Sequence, residues 1–369
     1  MGKNKILFDL QISSFDAEGR IKISSDSNYV FFLTLAKYIG HDYACAVLAP
    51  GGCVASIQED LDDQAQVFGV AYGSDYYTAR FQFDMEKVLL VIDKFNPDIV
   101  WTNNPIWVPF YKAALRKRGK DIPVFSYNHW IDLPKVRKES AEYTLEHLQV
   151  AGTLASDAVL ANSNWGLTII KEGIKESIGK NLEKAMIAFP PPLQELPVIR
   201  DREVEKRCVY NHRISSHPYY SEALKIFAGL MDGTDMLVVF TNPSGKEVLQ
   251  DFSFPTSFVN WDKDEYLQAL AKSYCSVSTL IDAGAQWSMS IVESVASLVP
   301  TLIPRHYGYK ELFPADYPLY YGSLEEAKQQ LVSLLEERPS MAKYAEYAKD
   351  TYGREGTLTR FTKLVEEYL

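Results

Sequence analysis

The sequence predicts an α/β protein built from two doubly wound domains facing a cleft, and three observations carry that prediction. Short apolar runs alternate with stretches of helical period along the chain. The alternation stops at Phe189-Pro-Pro-Pro-Leu193 and a polar run reaching Lys206, then begins afresh. Small polar and charged residues gather just after the apolar runs, at the strand ends where parallel sheets place their ligands.

In the first half, strands are expected at 5–10, 43–48, 98–101, 123–127, 158–161 and 186–188. Amphipathic segments at 29–39, 84–95, 108–117 and 143–154 separate them. Strands divided by helices form βαβ units and hence a parallel sheet. In the second half the strand candidates are 207–211, 236–240, 257–260, 275–280, 300–303 and 318–321. Helices are expected at 221–231, 263–273, 290–298, 311–313 and 324–337. Consecutive prolines stiffen a chain and cannot donate to a sheet, so 189–206 reads as a linker. Domains are therefore expected at 1–195 and 196–340, with helices over 341–369 packing back toward the first. A chain of 369 residues exceeds what one core usually serves.

Composition is 47% hydrophobic and 23% charged, ordinary for a globular protein. No run approaches the roughly 20 apolar residues needed to span a bilayer. Residues 1–10 pass straight into a strand without signal-peptide architecture. Cys45, Cys53, Cys208 and Cys275 are scattered, which points to a reducing compartment and against structural zinc. The cytoplasm is the expected location. A net charge of −10 argues against tight nonspecific nucleic-acid binding. The basic clusters at 111–120 and 135–138 read as solvated faces or turns, and the acidic run at 59–63 as a solvated turn. No Gly-x-Ser-x-Gly, Walker or Gly-x-Gly-x-x-Gly fingerprint exists, which disfavours a dinucleotide dehydrogenase.

The most informative stretch runs from Ala285 to Glu293. Ser288 and Ser290 stand where a helix is expected to begin, and free N–H groups there can hold a phosphate. Glu293, one turn further in, can accept from a ribose diol. Ser290-x-x-Glu293 also satisfies the capping box, and the local spacing leaves both readings open. Arg213 follows a strand end, where its fork suits a phosphate or a neighbouring carboxylate. Asn260 and Trp261 end another strand and offer an amide and an aromatic face to a nucleobase, or ordinary packing.

From Arg207 to Phe313 these residues resemble, in order, the donor half of GT-B glycosyltransferases, in particular the large retaining family of sucrose and glycogen synthase relatives. That family has Gly-Arg-Leu and a Lys after a strand, a base-binding strand end, Glu-x-Phe-Gly-x-x-x-x-Glu and an Ala-x-Gly-x-Pro turn. The matches are Arg213, residues 258–261, Glu293 and Pro300. Asn211-His212-Arg213 also resembles the Asn-His-Arg of a subset acting on modified nucleobases, including the queuosine-tRNA mannosyltransferase type. In the first half, Gly40-His41, the loop Tyr127-Asn-His129-Trp130 and the turn Ala161-Asn-Ser-Asn-Trp165 resemble family features. Two positions depart. The family's first Glu, a donor-sugar contact, falls on Ala285, leaving that role vacant or with Gln286. Its Lys is missing, with His217 or Tyr219 nearby.

The resemblance implies a GT-B fold of two Rossmann-like domains, acceptor-binding at 1–195 and donor-binding at 196–340. It implies catalytic roles for His129, at the reacting sugar or acceptor hydroxyl, and Arg213, at the leaving phosphate. The implied donor site is Asn211, Arg213, Asn260, Trp261, Gln286, Ser288, Met289, Ser290, Glu293 and Tyr307. The implied donor is a nucleotide sugar, with UDP as the nucleotide, and no metal or other cofactor is required. For the acceptor, Asn211-His212-Arg213 and the aromatic content (Tyr 23, Phe 18, Trp 6) favour a hydroxymethylated pyrimidine in DNA, as in phage enzymes, or another modified base. The acidic charge counts against it. A glycan, a lipid-linked sugar, a small metabolite, an epimerase of the same fold, or a non-catalytic nucleotide-sugar binding module remain alternatives. The oligomeric state is not legible.

Overall fold

The computed structural model describes residues 2–10, 12, 26–73, 81–129, 131, 133, 143–196, 203–212, 214, 218–241, 249, 254–259, 263–279 and 287–369. The chain divides into two compact units, Met1–Pro192 with Arg354–Leu369, and Leu193–Gly353. The sequence sets the breaks at 195/196 and 340/341. The second break falls later in the structure because Tyr344, Ala348 and Tyr352 join the core of the second unit.

In the first unit, strands β1 (Lys5–Asp9), β2 (Ala44–Pro50), β3 (Ala65–Val70), β4 (Ile99–Thr102), β5 (Val124–Asn128), β6 (Ala158–Ala161) and β7 (Ala185–Ala188) form one sheet. Its order is β3-β2-β1-β4-β5-β6-β7 and every pair is parallel. Both faces are covered, so the strands are apolar on both sides. Ile6 and Phe8 of β1 join one core cluster with Phe31, Phe32 and Trp101, while Leu7 joins another with Val88, Ile92 and Tyr111.

The helices of this unit start at polar caps. Asp26 accepts from the amides of Asn28 and Tyr29 at the head of α1 (Ser27–Ile39). The next helix is α2 (Val54–Leu61). Asp84 caps α3 (Met85–Phe95), which ends at Asn96 with a φ of 53°. α4 (Val108–Lys117) begins with Pro109 in its first turn, where the missing N–H costs nothing. In α5 (Tyr143–Ala155), Gly152 lies so close to the turn Pro105–Trp107 that a Cβ would stand 1.8 Å from the Pro105 carbonyl oxygen. Ser163 caps α6 (Asn164–Ile178), and Gly179 ends it with a φ of 70°.

The second unit holds β8 (Glu205–Tyr210), β9 (Leu237–Phe240), β10 (Thr256–Phe258), β11 (Ser273–Val277), β12 (Thr301–Pro304) and β13 (Tyr320–Tyr321). They form a parallel sheet in the order β10-β9-β8-β11-β12-β13. Its helices are α7 (Pro218–Met231), α8 (Lys263–Lys272), α9 (Met289–Ala296), α10 (Leu324–Glu336) and α11 (Ala342–Tyr352). The last helix, α12 (Arg354–Glu366), belongs to the first unit. There Phe361 lies 6.0 Å from Trp101 in a stacked pair and 5.0 Å edge-on to Tyr43, and Tyr368 lies 4.7 Å from Phe125.

Three expectations need correction. The acidic run 59–63 is solvated, with Glu59, Asp60, Asp62 and Asp63 exposed, but it is a turn only at its end: it closes α2 and enters a 3-10 turn, and Asp60 accepts a hydrogen bond from the Tyr29 hydroxyl. The helix expected at 311–313 is a 3-10 turn at Tyr307–Glu311. The strand expected at 318–321 narrows to Tyr320–Tyr321. Among the described residues no helix is long and apolar enough to cross a membrane.

Candidate functional site

The carboxyl end of β8 delivers Asn211 and His212 against the first turns of α9. Asn211 is buried, and the two N–H groups of its side-chain amide are shared among the Ser290 carbonyl at 2.9 Å, the Ser294 hydroxyl at 2.9 Å and the Tyr266 hydroxyl at 3.2 Å. Tyr266, on α8, in turn donates to Glu293 Oε2 at 2.9 Å. Burial and the Glu293 carboxylate raise the Tyr266 pKa well above its usual value, so the hydroxyl keeps its proton and its donor role. One asparagine thereby ties β8, α8 and α9 together, and one oxygen of Glu293 is fixed by a neutral donor.

Ser288 is the N-cap of α9, in extended conformation with φ −137° and ψ 118°, and its own side chain makes no capping hydrogen bond. The capping box is absent for a geometric reason. With the cap at Ser288, Ser290 is the second helical residue and Glu293 the fifth, beyond the third position that reaches back to a cap. Ser290 Oγ instead lies 2.9 Å from Ser288 Oγ and 3.2 Å from His212 Nδ1. The helix mouth therefore presents first-turn N–H groups that the cap side chain does not take, at the positive end of the dipole, with the Ser288 and Ser290 hydroxyls and His212 Nδ1 near it.

Tyr307 follows β12 and opens the 3-10 turn with a φ of 52°, a left-handed conformation uncommon for a bulky residue. Met289 is the first residue of α9. In the first unit, His129 follows β5, with Nε2 3.4 Å from the Ser27 hydroxyl. Burial pulls its pKa down to about 4, against the Asp26 carboxylate, which raises it. Arg213, Asn260, Trp261, Ala285 and Gln286 lie outside the described residues, as do Trp130 and His217.

No family model matches the chain, and no curated protein matches it. Solved structures do. Sucrose-phosphate synthase from Thermosynechococcus elongatus has a TM-score of 0.71 at 13% identity, covering 99% of both chains. HepE from Anabaena, in complex with UDP and glucose, has a TM-score of 0.67 at 15% identity over 99% of this chain and 100% of that one. A glycosyltransferase from Rickettsia africae has a TM-score of 0.67 at 14% identity over 100% and 99%. The fold is GT-B.

Within this GT-B chain the second unit gathers Asn211, Ser288, Met289, Ser290 and Glu293 at one sheet end. Sequence reading missed His212 and Tyr266. In the sequence His212 is only the middle residue of Asn211-His212-Arg213, and its contact with Ser290 spans 78 positions. Tyr266 sits beside Leu267 on a helix whose apolar residues read as ordinary core, with nothing local to mark it as the partner of Glu293.

Proposed function

We propose that this chain is a retaining glycosyltransferase that moves a sugar from a UDP-sugar to an acceptor hydroxyl. The observation that carries the proposal is the mouth of α9, where first-turn amides, Ser288, Ser290 and the Tyr266-held Glu293 meet at the carboxyl end of a parallel sheet. The presence of UDP and glucose in the HepE complex, whose fold this chain shares, supports the choice of donor.

The catalytic contribution is mainly electrostatic. As the sugar leaves, negative charge grows on the departing diphosphate. The first-turn amides of α9 and the guanidinium of Arg213 balance it without reorganising, which lowers the barrier to departure. A carboxylate only accepts hydrogen bonds, so Glu293 accepts from the ribose hydroxyls while Tyr266 prevents it from swinging away. Asn260 and Trp261 are assigned to the base, Gln286 to the sugar, and Tyr307 to the sugar or diphosphate through backbone N–H groups. His129 is assigned to the reacting hydroxyls: burial keeps its ring neutral at working pH, so it can both donate and accept. For the acceptor we retain a hydroxymethylated pyrimidine in DNA or another modified base. Asn211 spends its amide inside the unit, so the motif's support for a base contact passes to Arg213.

Titration with UDP followed by calorimetry and thermal melting tests the donor site. UDP raises the melting temperature of the wild type, and Glu293→Ala weakens UDP binding about tenfold, the loss of hydrogen bonds to a charged group. A protein that no nucleoside diphosphate stabilises would end this reading. Incubation with nucleotide sugars and hydroxymethylated DNA, then digestion and mass spectrometry, tests the acceptor. Unmodified nucleosides with every donor would remove it. Inverted anomeric configuration in the product would remove retention.

A further inference from the structure

The first sheet changes direction between β1 and β4: β2 and β3 continue on one side of β1, and β4 to β7 on the other. Ligands of parallel sheets settle at the carboxyl end of such a switch point. Two contacts close that end. The Asn103 amide donates to the Asp9 carbonyl at 3.0 Å, and the Tyr111 hydroxyl of α4 donates to the Asp9 carboxyl. α4 starts at this rim, just after the turn Pro105–Trp107, and α3, which follows β3, starts at it too. Phe83, one residue before the cap of α3, stacks on Phe110 of α4 with centroids 5.4 Å apart and planes at 26°. Tyr111 and Trp107 meet Phe83 edge-on at 5.0 and 5.9 Å. Three rings thus fix Phe83, whereas Phe110, resting on it, remains 44% exposed. A ring that its neighbours already immobilise loses little freedom when another ring stacks on it. The basic run 111–120 spends charge locally, Lys112 on Asp157 and Arg118 on Asp93. The rim therefore offers a flat apolar face rather than a track for phosphates.

We infer that Phe110, backed by Phe83, stacks the pyrimidine base of the acceptor at the carboxyl end of the first sheet. This rests on the modified-base reading above and gives that acceptor a seat within the first unit. Stacking asks only for the face of a base, which every base has, and for no hydrogen bond. A sugar ring would also need partners for its hydroxyls, and the groups packed around Phe83 are aromatic rings. A free nucleoside and a base carried by a DNA strand share this chemistry.

Calorimetric titration of the full chain tests the seat, with three probes: 5-hydroxymethylcytidine, a short single strand carrying 5-hydroxymethylcytosine, and the same strand with an abasic site in its place. The wild type binds the base-bearing strand about tenfold tighter than the abasic one. Phe110→Ala erases that difference, Phe110→Trp keeps it, and both bind UDP as the wild type does. Binding of the nucleoside as tightly as the strand supports a free acceptor, and preference for the strand supports DNA. A Phe110→Ala protein that keeps the difference would overturn the inference and leave the modified-base reading intact. Equal affinity of the wild type for both strands would take both away. Loss of maltose binding in Phe110→Ala, without any base preference, would give the platform to a sugar and overturn the inference. A wild type that prefers the base-bearing strand but binds no UDP would end the donor reading and uphold the stacking.

Discussion

Replacing Asp9 with Asn alters how the first unit responds to pH, by an amount that the burial of this carboxyl sets. Asp9 ends β1, is 3% exposed and accepts a hydrogen bond from the Tyr111 hydroxyl. Burial outweighs that bond and raises its pKa from the ordinary 3.8 to about 7. The folded state therefore holds a proton that the unfolded chain releases. Its stabilising contribution is fully present below about pH 4, declines as pH rises, and is gone above about pH 7. A shift of that size corresponds to about 4 kcal/mol in total, of which roughly 2–3 kcal/mol falls between pH 5 and pH 8. An amide of the same shape can still accept from Tyr111 but does not titrate. Urea unfolding of wild type and Asp9→Asn at pH 5 and pH 8, followed by Trp fluorescence, measures the difference. The variant gains roughly 2–3 kcal/mol on the wild type between the two values. His129 and His212, with pKa values lowered to about 4, act in the opposite sense, since their contribution is lost as pH falls through about 6 to 4. They are common to both proteins and cancel in the difference. Parallel stability profiles would refute the reasoning, because they would mean that Asp9 is ionised in the fold at no cost.

Two further substitutions probe the first unit. Gly152→Ala destabilises by about 1–3 kcal/mol in thermal melts although alanine is the better helix former, because its methyl would stand 1.8 Å from a backbone oxygen; a raised melting temperature would contradict this. Phe361→Ala costs about 3–5 kcal/mol in denaturant unfolding, since a fully buried ring packed on Trp101 and Tyr43 is lost; a change under about 1 kcal/mol would show that α12 contributes little to that core.

The sequence disclosed the parallel architecture because fully buried strands are continuous apolar runs, and 158–161 emerges as a strand with the same bounds. It did not disclose β3 or α2. β3 is the edge strand of its sheet and only half-buried, and Gly69 interrupts its pattern. α2 buries just Ile57 and Leu61, so its helical period drowns in Gln and acidic residues. The start of α9 was legible to within a residue or two, yet that margin decided the meaning of Ser-x-x-Glu. A helix beginning at Met289 rather than after Ser290 turns a self-capping pair into two side chains serving different neighbours. Such register lies below what spacing resolves. His212 and Tyr266 were hidden for a different reason: their partners come from other elements, and only the folded sheet brings β8, α8 and α9 together.

The placement of α12 has a consequence for biosynthesis. The second unit is one uninterrupted segment, Leu193–Gly353, whereas the first unit needs Phe361, Leu364 and Val365 to seal its core. On the ribosome, every residue of the later segment has been made before the earlier one is complete, so the N-terminal sheet waits with an open aromatic face while its neighbour can finish. Domains usually fold in the order of synthesis; here the order of completion is reversed, and the last helix is the stopper.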